Sequence, residues 1–207
     1  AFGRVDIVVN NAGILRDKSF SNLTSELLDP IIDVHLRGAF HVTQPAWQHM
    51  REQNYGRVIS TSSSSGIFGN FGQSNYGAAK MGLVGLTRVL AIEGAKYGIT
   101  ANAIAPLALT RMTEPLLGPF GAKVAPERVS PLVAYLAHES CDVTGRVFSV
   151  GGGRIAEVFI GETKGFYAAD LTPELVAGNW EAITDREGYV VPASGGEETA
   201  LYAAALA

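Results

Sequence analysis

Short runs of apolar and β-branched residues recur along the chain, and each is followed directly by a loop of polar residues or glycine. The runs lie at residues 5–9, 57–61, 100–105 and 147–150. Longer stretches with helical features separate them, at residues 25–52, 74–97 and 126–138. Strands that alternate with helices in this way form a parallel sheet with helices on both faces. The pattern therefore predicts an α/β protein with a doubly wound parallel sheet.

Single residues set the ends and interruptions of the predicted helices. Thr24 is a suitable N-cap for the first long helix, whereas Pro30 and Pro45 each remove a backbone N–H from it, which predicts kinks or breaks. Gly98 is a suitable C′ residue for the second helix. Apolar residues cover most of the circumference of that helix, so we expect it to be buried against its sheet and against another subunit. A homodimer or tetramer formed through the long helices is the expected assembly.

Residues 154–207 are predicted to form a C-terminal extension beyond a first domain at residues 1–153. Thr172, Pro173 and Glu174 combine a cap, a proline at the first helical position and an acid in the first turn. This combination predicts a short helix over residues 173–183. Beyond Pro192 the sequence is rich in Gly, Glu and Ala, which favours a mobile end or the fringe of another segment.

Composition narrows the classes of partner. The 207 residues are 47% hydrophobic and 17% charged, with a formal net charge of −4 and no run of Lys or Arg, so neither nucleic acid nor a membrane surface is an expected partner. The single cysteine, Cys141, has no partner for a disulfide or a metal site, which favours a reducing compartment. We expect a cytoplasmic protein that binds a small molecule and no metal.

The loops after the first three strands carry the candidate chemistry, because the C-terminal ends of parallel strands meet at one rim of the sheet. In the stretch "SSSSGIFGNFGQSNYGAAK", Tyr76 and Lys80 are four residues apart and lie on one helix face. An adjacent ammonium favours the phenolate, so Tyr76 could exchange a proton with an alcohol or ketone. One of the four serines at positions 62–65 could hydrogen-bond the substrate oxygen, and a nicotinamide cofactor is the natural electron acceptor.

An ordinary structural explanation exists for each of these features taken alone. A Tyr-x-x-x-Lys pair is common on helices, and a serine run is usually a flexible loop. The combination becomes specific when both features share a rim with "NNAG" at residues 10–13.

Four segments match the motifs of one enzyme family in order. They are "DIVVNNAG" at residues 6–13, "YGAAK" at 76–80, "NAIAP" at 102–106 and "VTGRVFSVGGG" at 143–153. The chain up to Gly153 thus resembles the short-chain dehydrogenase/reductase family, which implies a Rossmann-like fold. Other segments, among them "LTPELVAGNWEAI" at 171–183, are similar to the (3R)-hydroxyacyl-CoA dehydrogenase units of multifunctional enzymes, which use NAD and in some cases also oxidise 17β-hydroxysteroids.

The resemblance implies a role for individual residues. Tyr76 is then the general acid/base, and Lys80 lowers its pKa and binds the nicotinamide ribose. The family's serine lies thirteen residues before the tyrosine, which selects Ser63. His35 stands where many members carry a relay asparagine, and it is either a proton relay or a packed structural residue. Tyr76 is also an implied cofactor contact, and the others are Asn10, Ala12, Gly13 and Pro106. The resemblance further implies a peroxisomal location if the protein is eukaryotic.

Four points stay open. In residues 110–125, which we expect to cover the substrate, Leu116, Leu117 and Phe120 suit an acyl or sterol body, although a surface loop with buried anchors explains them nearly as well. The family's glycine-rich phosphate turn has no match in the sequence, so the N-terminal βα units are expected to be absent. The implied cofactor is NAD, with NADP left open. The alternative function is that of a non-catalytic remnant or interaction module that cannot bind the cofactor alone.

Overall fold

The computed structural model describes residues 3–206, except for the side chains at positions 115, 116 and 205. Its centre is a sheet of five strands in which spatial order follows chain order. The strands are β1 Ile7–Asn10, β2 Gly56–Thr61, β3 Ile99–Pro106, β4 Val147–Gly151 and β5 Arg154–Val158. Strands β1 to β4 are parallel, and β5 is antiparallel to β4. The four predicted strands are confirmed, whereas β5 was not predicted.

Helices occupy the connections between the strands. The α-helices of the sheet unit are α1 Ser25–Ile31, α2 Gly38–Glu52, α3 Ser64–Phe68, α4 Ser74–Gly94, α5 Glu114–Leu117 and α6 Ser130–Ala137. A π-helical segment, Ile32–Arg37, joins α1 to α2. Short 3₁₀ turns include Ala95–Tyr97, Gly118–Lys123 and Pro126–Arg128.

The two faces of the sheet are covered by different helices. Successive side chains of a strand point to opposite faces. Val58 of β2 packs in a buried cluster with α2 and α4, whereas its neighbour Ile59 packs with α6. Ala101 and Ile104 of β3 divide in the same way. The predicted α/β architecture with helices on both faces is confirmed, although the strand order never reverses among the described strands.

Proline affects the first long helix less than expected. The helix does not break at Pro30, but after Ile31 it widens into the π-helical segment. Pro45 lies inside α2, which runs on to Glu52. Further along, α4 ends at Gly94, and after the 3₁₀ turn Gly98 takes the left-handed conformation (φ 63°) expected of a C′ residue. The helix predicted at residues 126–138 is a 3₁₀ turn followed by α6.

The chain forms two compact units that divide between Val158 and Phe159. The boundary therefore falls after β5 and not after Gly153. The turn before β5 contains Gly152 (φ 60°) and Gly153 (φ 92°), and this pair of positive φ angles reverses the chain into a hairpin. The antiparallel pairing of β5 with β4 then adds residues 154–158 to the sheet.

The second unit contains short helices and no fully buried described side chain. Its helices are α7 Pro173–Gly178, α8 Trp180–Thr184 and α9 Gly195–Ala205. The single helix predicted at 173–183 is interrupted at Asn179, and the Thr172 side chain caps α7 by accepting from Leu175 N. Residues beyond Pro192, predicted to be mobile, form α9 because the Ser194 side chain caps it. No described helix combines the length and apolar character needed to cross a bilayer.

Candidate functional site

A cleft of about 300 Å³ opens at the C-terminal ends of β1, β2 and β3. Parallel pairing brings these ends to one edge of the sheet, so the three polar loops meet there as predicted. The residues that line the cleft are Asn11, Gly13, His35, Thr61, Ser62, Ser63, Tyr76, Lys80, Pro106, Ala108, Thr110, Arg111, Met112 and Thr113.

The two serines that follow β2 have different roles. The Ser62 hydroxyl is buried and donates to the backbone carbonyl of Lys80 at 2.8 Å, which fastens the strand end to α4. Ser63 has an extended backbone and caps α3, because its Oγ accepts from Ser65 N at 3.2 Å. Only the Ser63 side chain also forms a hydrogen bond with Tyr76. The structure therefore distinguishes Ser63 from the other serines of the run by direct contact.

Glycine lets α3 pack closely against α4. A Cβ atom at Gly66 would lie 2.9 Å from both the Lys80 Cβ and the Met81 backbone nitrogen. A Cβ at Gly77 would lie 3.0 Å from the Ser65 carbonyl oxygen. These close approaches bring the Ser63 cap to the helix face that carries Tyr76 and Lys80.

Tyr76 is half-buried in the third helical position of α4. Burial raises the pKa of its phenol, the hydrogen bond with Ser63 lowers it, and the charge of Asp17 raises it, with a net rise. The sequence predicts a lowered pKa for this phenol, and the structure gives the opposite direction. The reason is that burial, the largest influence on this phenol, outweighs the hydrogen bond with Ser63, while the Lys80 Nζ, 5.4 Å from the ring centroid, donates to another partner.

That partner is the last carbonyl of β2. The Lys80 Nζ is buried and donates to the Thr61 oxygen at 2.6 Å. Burial lowers the pKa of Lys80 from 10.5 to about 8. An ammonium carries three N–H donors. The bond to Thr61 uses one of these donors, so Lys80 retains capacity for ligand hydroxyl groups.

His35 lies in the π-helical segment, and its ring meets that of Tyr76 edge to face with centroids 5.1 Å apart. Its Nε2 is 2.8 Å from the Ile14 carbonyl oxygen and 3.1 Å from the Ile14 nitrogen, so its tautomer decides which bond it makes. Burial, aided by the charge of Lys80, lowers the pKa of His35, which keeps the ring neutral. Among the described residues its buried Nδ1 has no partner. The His35 ring is therefore packed against Tyr76 and also hydrogen-bonded to the Ile14 backbone.

Of the four predicted cofactor contacts outside the Tyr76–Lys80 pair, two line the cleft and two do not. Gly13 and Pro106 line the cleft, whereas Asn10 and Ala12 are not among its lining residues. The Asn10 amide instead donates to Thr43 Oγ1 at 2.9 Å. Its neighbour Asn11, which the sequence did not single out, lines the cleft and accepts from Thr61 Oγ1 at 3.0 Å.

The predicted substrate residues lie in the connection between β3 and α6. Leu117 is half-buried and Phe120 is 50% exposed, and neither lines the cleft; the Leu116 side chain lies outside the described residues. The part of this connection that does line the cleft is residues 108 and 110–113. It was missed in detail because a turn without periodicity carries no signal for where its side chains point.

Asn75 is a further residue that sequence reasoning did not find. It is buried, and its amide donates to the carbonyls of Arg16 (3.0 Å) and Leu27 (2.9 Å), while its Oδ1 accepts from Tyr76 N at 2.8 Å. One side chain thus joins the loop after β1, helix α1 and the first turn of α4. All of its partners are backbone atoms, two of them distant in sequence, which explains why no motif reveals it.

Metal ligation has no support in the described part of the chain, where no group of three or more His, Cys, Asp or Glu side chains could hold an ion. The polar side chains that line the cleft are hydroxyl groups, the Asn11 amide, the buried Lys80, the His35 ring and the exposed Arg111.

The family model described as short chain dehydrogenase matches residues 1–117, and the chain belongs to this family. It is 53% identical over 189 residues to the peroxisomal multifunctional enzyme type 2 of Mus musculus, covering 89% of this chain and 26% of that protein. It is 41% identical over 165 residues to an acetoacetyl-CoA reductase of an Acinetobacter species, covering 74% and 66%. The solved structure of full-length peroxisomal multifunctional enzyme type 2 from Drosophila melanogaster superposes with a TM-score of 0.89 at 39% identity, covering 96% of this chain and 37% of that one. The chain thus spans less than two thirds of the length of each of these relatives.

Proposed function

We propose that this protein is an oxidoreductase that transfers hydride between a secondary alcohol and NAD or NADP. The observation that supports it most strongly is that Ser63, Tyr76 and Lys80 line one cleft at the C-terminal edge of a parallel sheet. Family membership supports the same class of reaction.

The residues present suit a nicotinamide riboside. The donors left on Lys80 match ribose hydroxyl groups, and the apolar side chains of Pro106, Ala108 and Met112 offer a wall for a flat ring. Gly13 keeps the loop after β1 close to His35, since a Cβ there would lie 2.5 Å from its Cε1. When bound, the cofactor would supply a hydride donor or acceptor.

Tyr76 carries the proton in the proposed reaction. Because burial raises its pKa, the phenol is protonated at neutral pH and can donate to the oxygen of a ketone as that carbon gains hydride. The Ser63 hydroxyl would donate a hydrogen bond to the same oxygen as charge develops on it. In the direction of oxidation, the phenolate accepts the alcohol proton, and the bond from Ser63 favours that form.

The substrate that we propose is a 3-hydroxyacyl-CoA thioester, with a hydroxysteroid as the second candidate. The name of one relative supports this class, since that protein is an acetoacetyl-CoA reductase. Apolar side chains of the connection after β3, including Met112, Leu117 and Phe120, suit either an acyl chain or a sterol.

The experiment is an NADH absorbance assay of the full-length gene product with acetoacetyl-CoA and with a 17-ketosteroid. We expect Tyr76→Phe to lower kcat by about 1,000-fold, because general acid catalysis contributes factors of this order. Tyr135→Phe is the matched control, since Tyr135 is an exposed residue of α6 outside the cleft. Wild-type turnover by the Tyr76 variant would remove the mechanism.

The alternative, a non-catalytic remnant or interaction module, makes the opposite prediction in a titration. Enzymatic function requires that NADH binds with a dissociation constant near micromolar, whereas a remnant leaves NADH fluorescence unchanged. The exposed apolar side chains of β1, Ile7 and Val9, would then mark a surface for another protein.

We also propose that the protein assembles as a homodimer or tetramer through its long helices. Exposed apolar side chains on these helices support it: Phe40 and Val42 on α2, and Val89 and Ile92 on α4. Sedimentation velocity tests the assembly. In a eukaryotic host, the peroxisomal names of the relatives favour a peroxisomal location, and otherwise we expect the cytoplasm.

A further inference from the structure

Arg111 stands at the rim of the cleft on a turn that threonine side chains hold in place. The Thr113 hydroxyl donates to the Ala108 carbonyl at 2.6 Å, and its Oγ1 accepts from Thr110 N at 2.8 Å. The Glu114 nitrogen donates to the Thr110 carbonyl at 2.9 Å. The backbone around Arg111 is therefore fixed before any ligand binds.

The guanidinium of Arg111, by contrast, has no hydrogen bond or ion pair with any described residue, and the residue is exposed. An arginine keeps its charge at every physiological pH and offers five N–H donors in a planar fork that fits phosphate. A fixed backbone with an unused guanidinium is the arrangement expected of a residue that binds an anion from solution.

The charges around the cleft favour an anion as well. The chain is acidic overall, with 20 Asp and Glu against 16 Lys and Arg. The described residues that line the cleft nevertheless include two cations, Lys80 and Arg111, and no carboxylate. Lys80 is buried at the deep end and bonded to Thr61, whereas Arg111 is exposed at the rim, so the two cations face different parts of a bound molecule.

The size of the cleft sets where the charge of a ligand must lie. A cleft of about 300 Å³ accommodates the thioester end of an acyl-CoA or the nicotinamide riboside of a dinucleotide. It does not accommodate the adenosine and phosphate groups of either ligand. When the reacting carbon lies beside Tyr76, the phosphate groups must extend past the rim.

We propose that Arg111 forms a phosphate subsite at the rim of the cleft. The inference rests on the proposed function, because that function supplies the two phosphate-bearing ligands, the CoA part of the thioester and the dinucleotide. Both share one chemistry, a phosphate met by a bidentate guanidinium.

The experiment compares the wild-type gene product with Arg111→Gln, Arg111→Lys and the control Lys123→Gln. Lys123 is an exposed cation of the same connection that does not line the cleft, so the control makes the same charge change. Three quantities are measured: the KM for acetoacetyl-CoA, the KM for the neutral acetoacetyl-N-acetylcysteamine thioester, and the dissociation constant of NADH from fluorescence. Calorimetry with free coenzyme A gives a readout that needs no turnover.

If the phosphate belongs to the thioester, Arg111→Gln raises the KM for acetoacetyl-CoA at least about 10-fold more than that for the neutral thioester and weakens coenzyme A binding. If it belongs to the dinucleotide, the NADH dissociation constant rises by a similar factor instead. In both cases Arg111→Lys gives a smaller effect, because the charge remains and the fork is lost, and raising the salt concentration reduces the difference from wild type.

Two results overturn the subsite. Either Arg111→Gln matches Lys123→Gln in every measurement, or it raises the KM of both thioesters equally while NADH binding stays unchanged, which would indicate a disturbed turn. Failure of the proposed function has a different signature, since the wild-type protein would then neither reduce the thioesters nor bind NADH.

Discussion

On the side of the cleft formed by β2 and α4, polar side chains are buried and bonded to backbone groups, as Ser62 and Lys80 show. On the side formed by the turn at residues 108–114, the backbone is bonded but Arg111 and Met112 are exposed. The first side has fixed side chains and is suited to chemistry, which needs reacting groups in one geometry. The second side has side chains that a ligand must order and is suited to recognition. Substitutions on the first side should therefore change kcat, and substitutions on the second should change KM.

The largest effect after that of Tyr76 is expected at Ser63. We expect Ser63→Ala to lower kcat by about 100-fold, since one hydrogen-bond donor to the developing oxyanion is lost. Initial rates of acetoacetyl-CoA reduction, at saturating substrate, give the measurement. Ser64→Ala, an exposed neighbour, is the control. Equal rates for both variants would contradict the choice of Ser63 among the serines.

Asn75 tests whether the side of the cleft formed by β2 and α4 depends on side chains held in one geometry. Asn75→Asp removes two donors and places a carboxylate oxygen against the backbone carbonyls of Arg16 and Leu27. We expect the free energy of unfolding in urea to fall by about 2 kcal/mol, and kcat to fall more than KM changes, because the first turn of α4 shifts with Tyr76. Asn22→Asp, whose amide meets only the exposed Ser19 hydroxyl, is the control. A loss of stability with unchanged kcat would separate Asn75 from the site.

A smaller effect is expected from the buried charge of Lys80. Its pKa falls from 10.5 to about 8 on folding, so between these values the unfolded chain binds more protons than the folded one. Stability from this group is present above pH 10.5 and is lost as the pH falls through about 8. Relative to Lys80→Met, the wild-type free energy of unfolding should rise by about 1 kcal/mol between pH 7 and pH 9. Urea titrations of both proteins at several pH values test this; parallel curves would mean that Lys80 is not desolvated.

The smallest effect is expected at Phe120, which lies in the connection after β3 but outside the lining of the cleft. Phe120 is half exposed, so a ligand that covers it gains on the order of 1 kcal/mol of apolar burial. Phe120→Ala should raise the KM for a long-chain 3-ketoacyl-CoA about 5-fold and leave that for acetoacetyl-CoA nearly unchanged. Equal KM changes for both chain lengths would exclude Phe120 from the acyl site.

The contrast between the two sides of the cleft also explains which features could be predicted from the sequence. The strands and the Tyr76–Lys80 pair follow from local periodicity, and both lie where helix and strand geometry fix the side chains. Ser63 was selected from its neighbours only by a family spacing, because four adjacent serines are equivalent until α3 turns one of them towards Tyr76.

Other features could not be predicted from the sequence, because their partners are distant along the chain or because two sequence signals compete. Asn75 and Arg111 depend on backbone groups and turns that no period describes. Strand β5 does have a signal, since Gly152 and Gly153 separate two apolar runs as in a tight hairpin, but the same glycines also fit the end of a domain. The rise in the pKa of Tyr76 needs its burial, which sequence spacing does not contain.

The absence of a side chain at position 13 couples two parts of the molecule. Gly13 lies so close to His35 that a Cβ atom at this position would stand 2.5 Å from Cε1, and His35 in turn meets the edge of the Tyr76 ring. A single methyl group on the loop after β1 would displace the imidazole, and the imidazole would displace the phenol. The position of the loop after β1 is thus linked by packing to the Tyr76 phenol through one intervening ring.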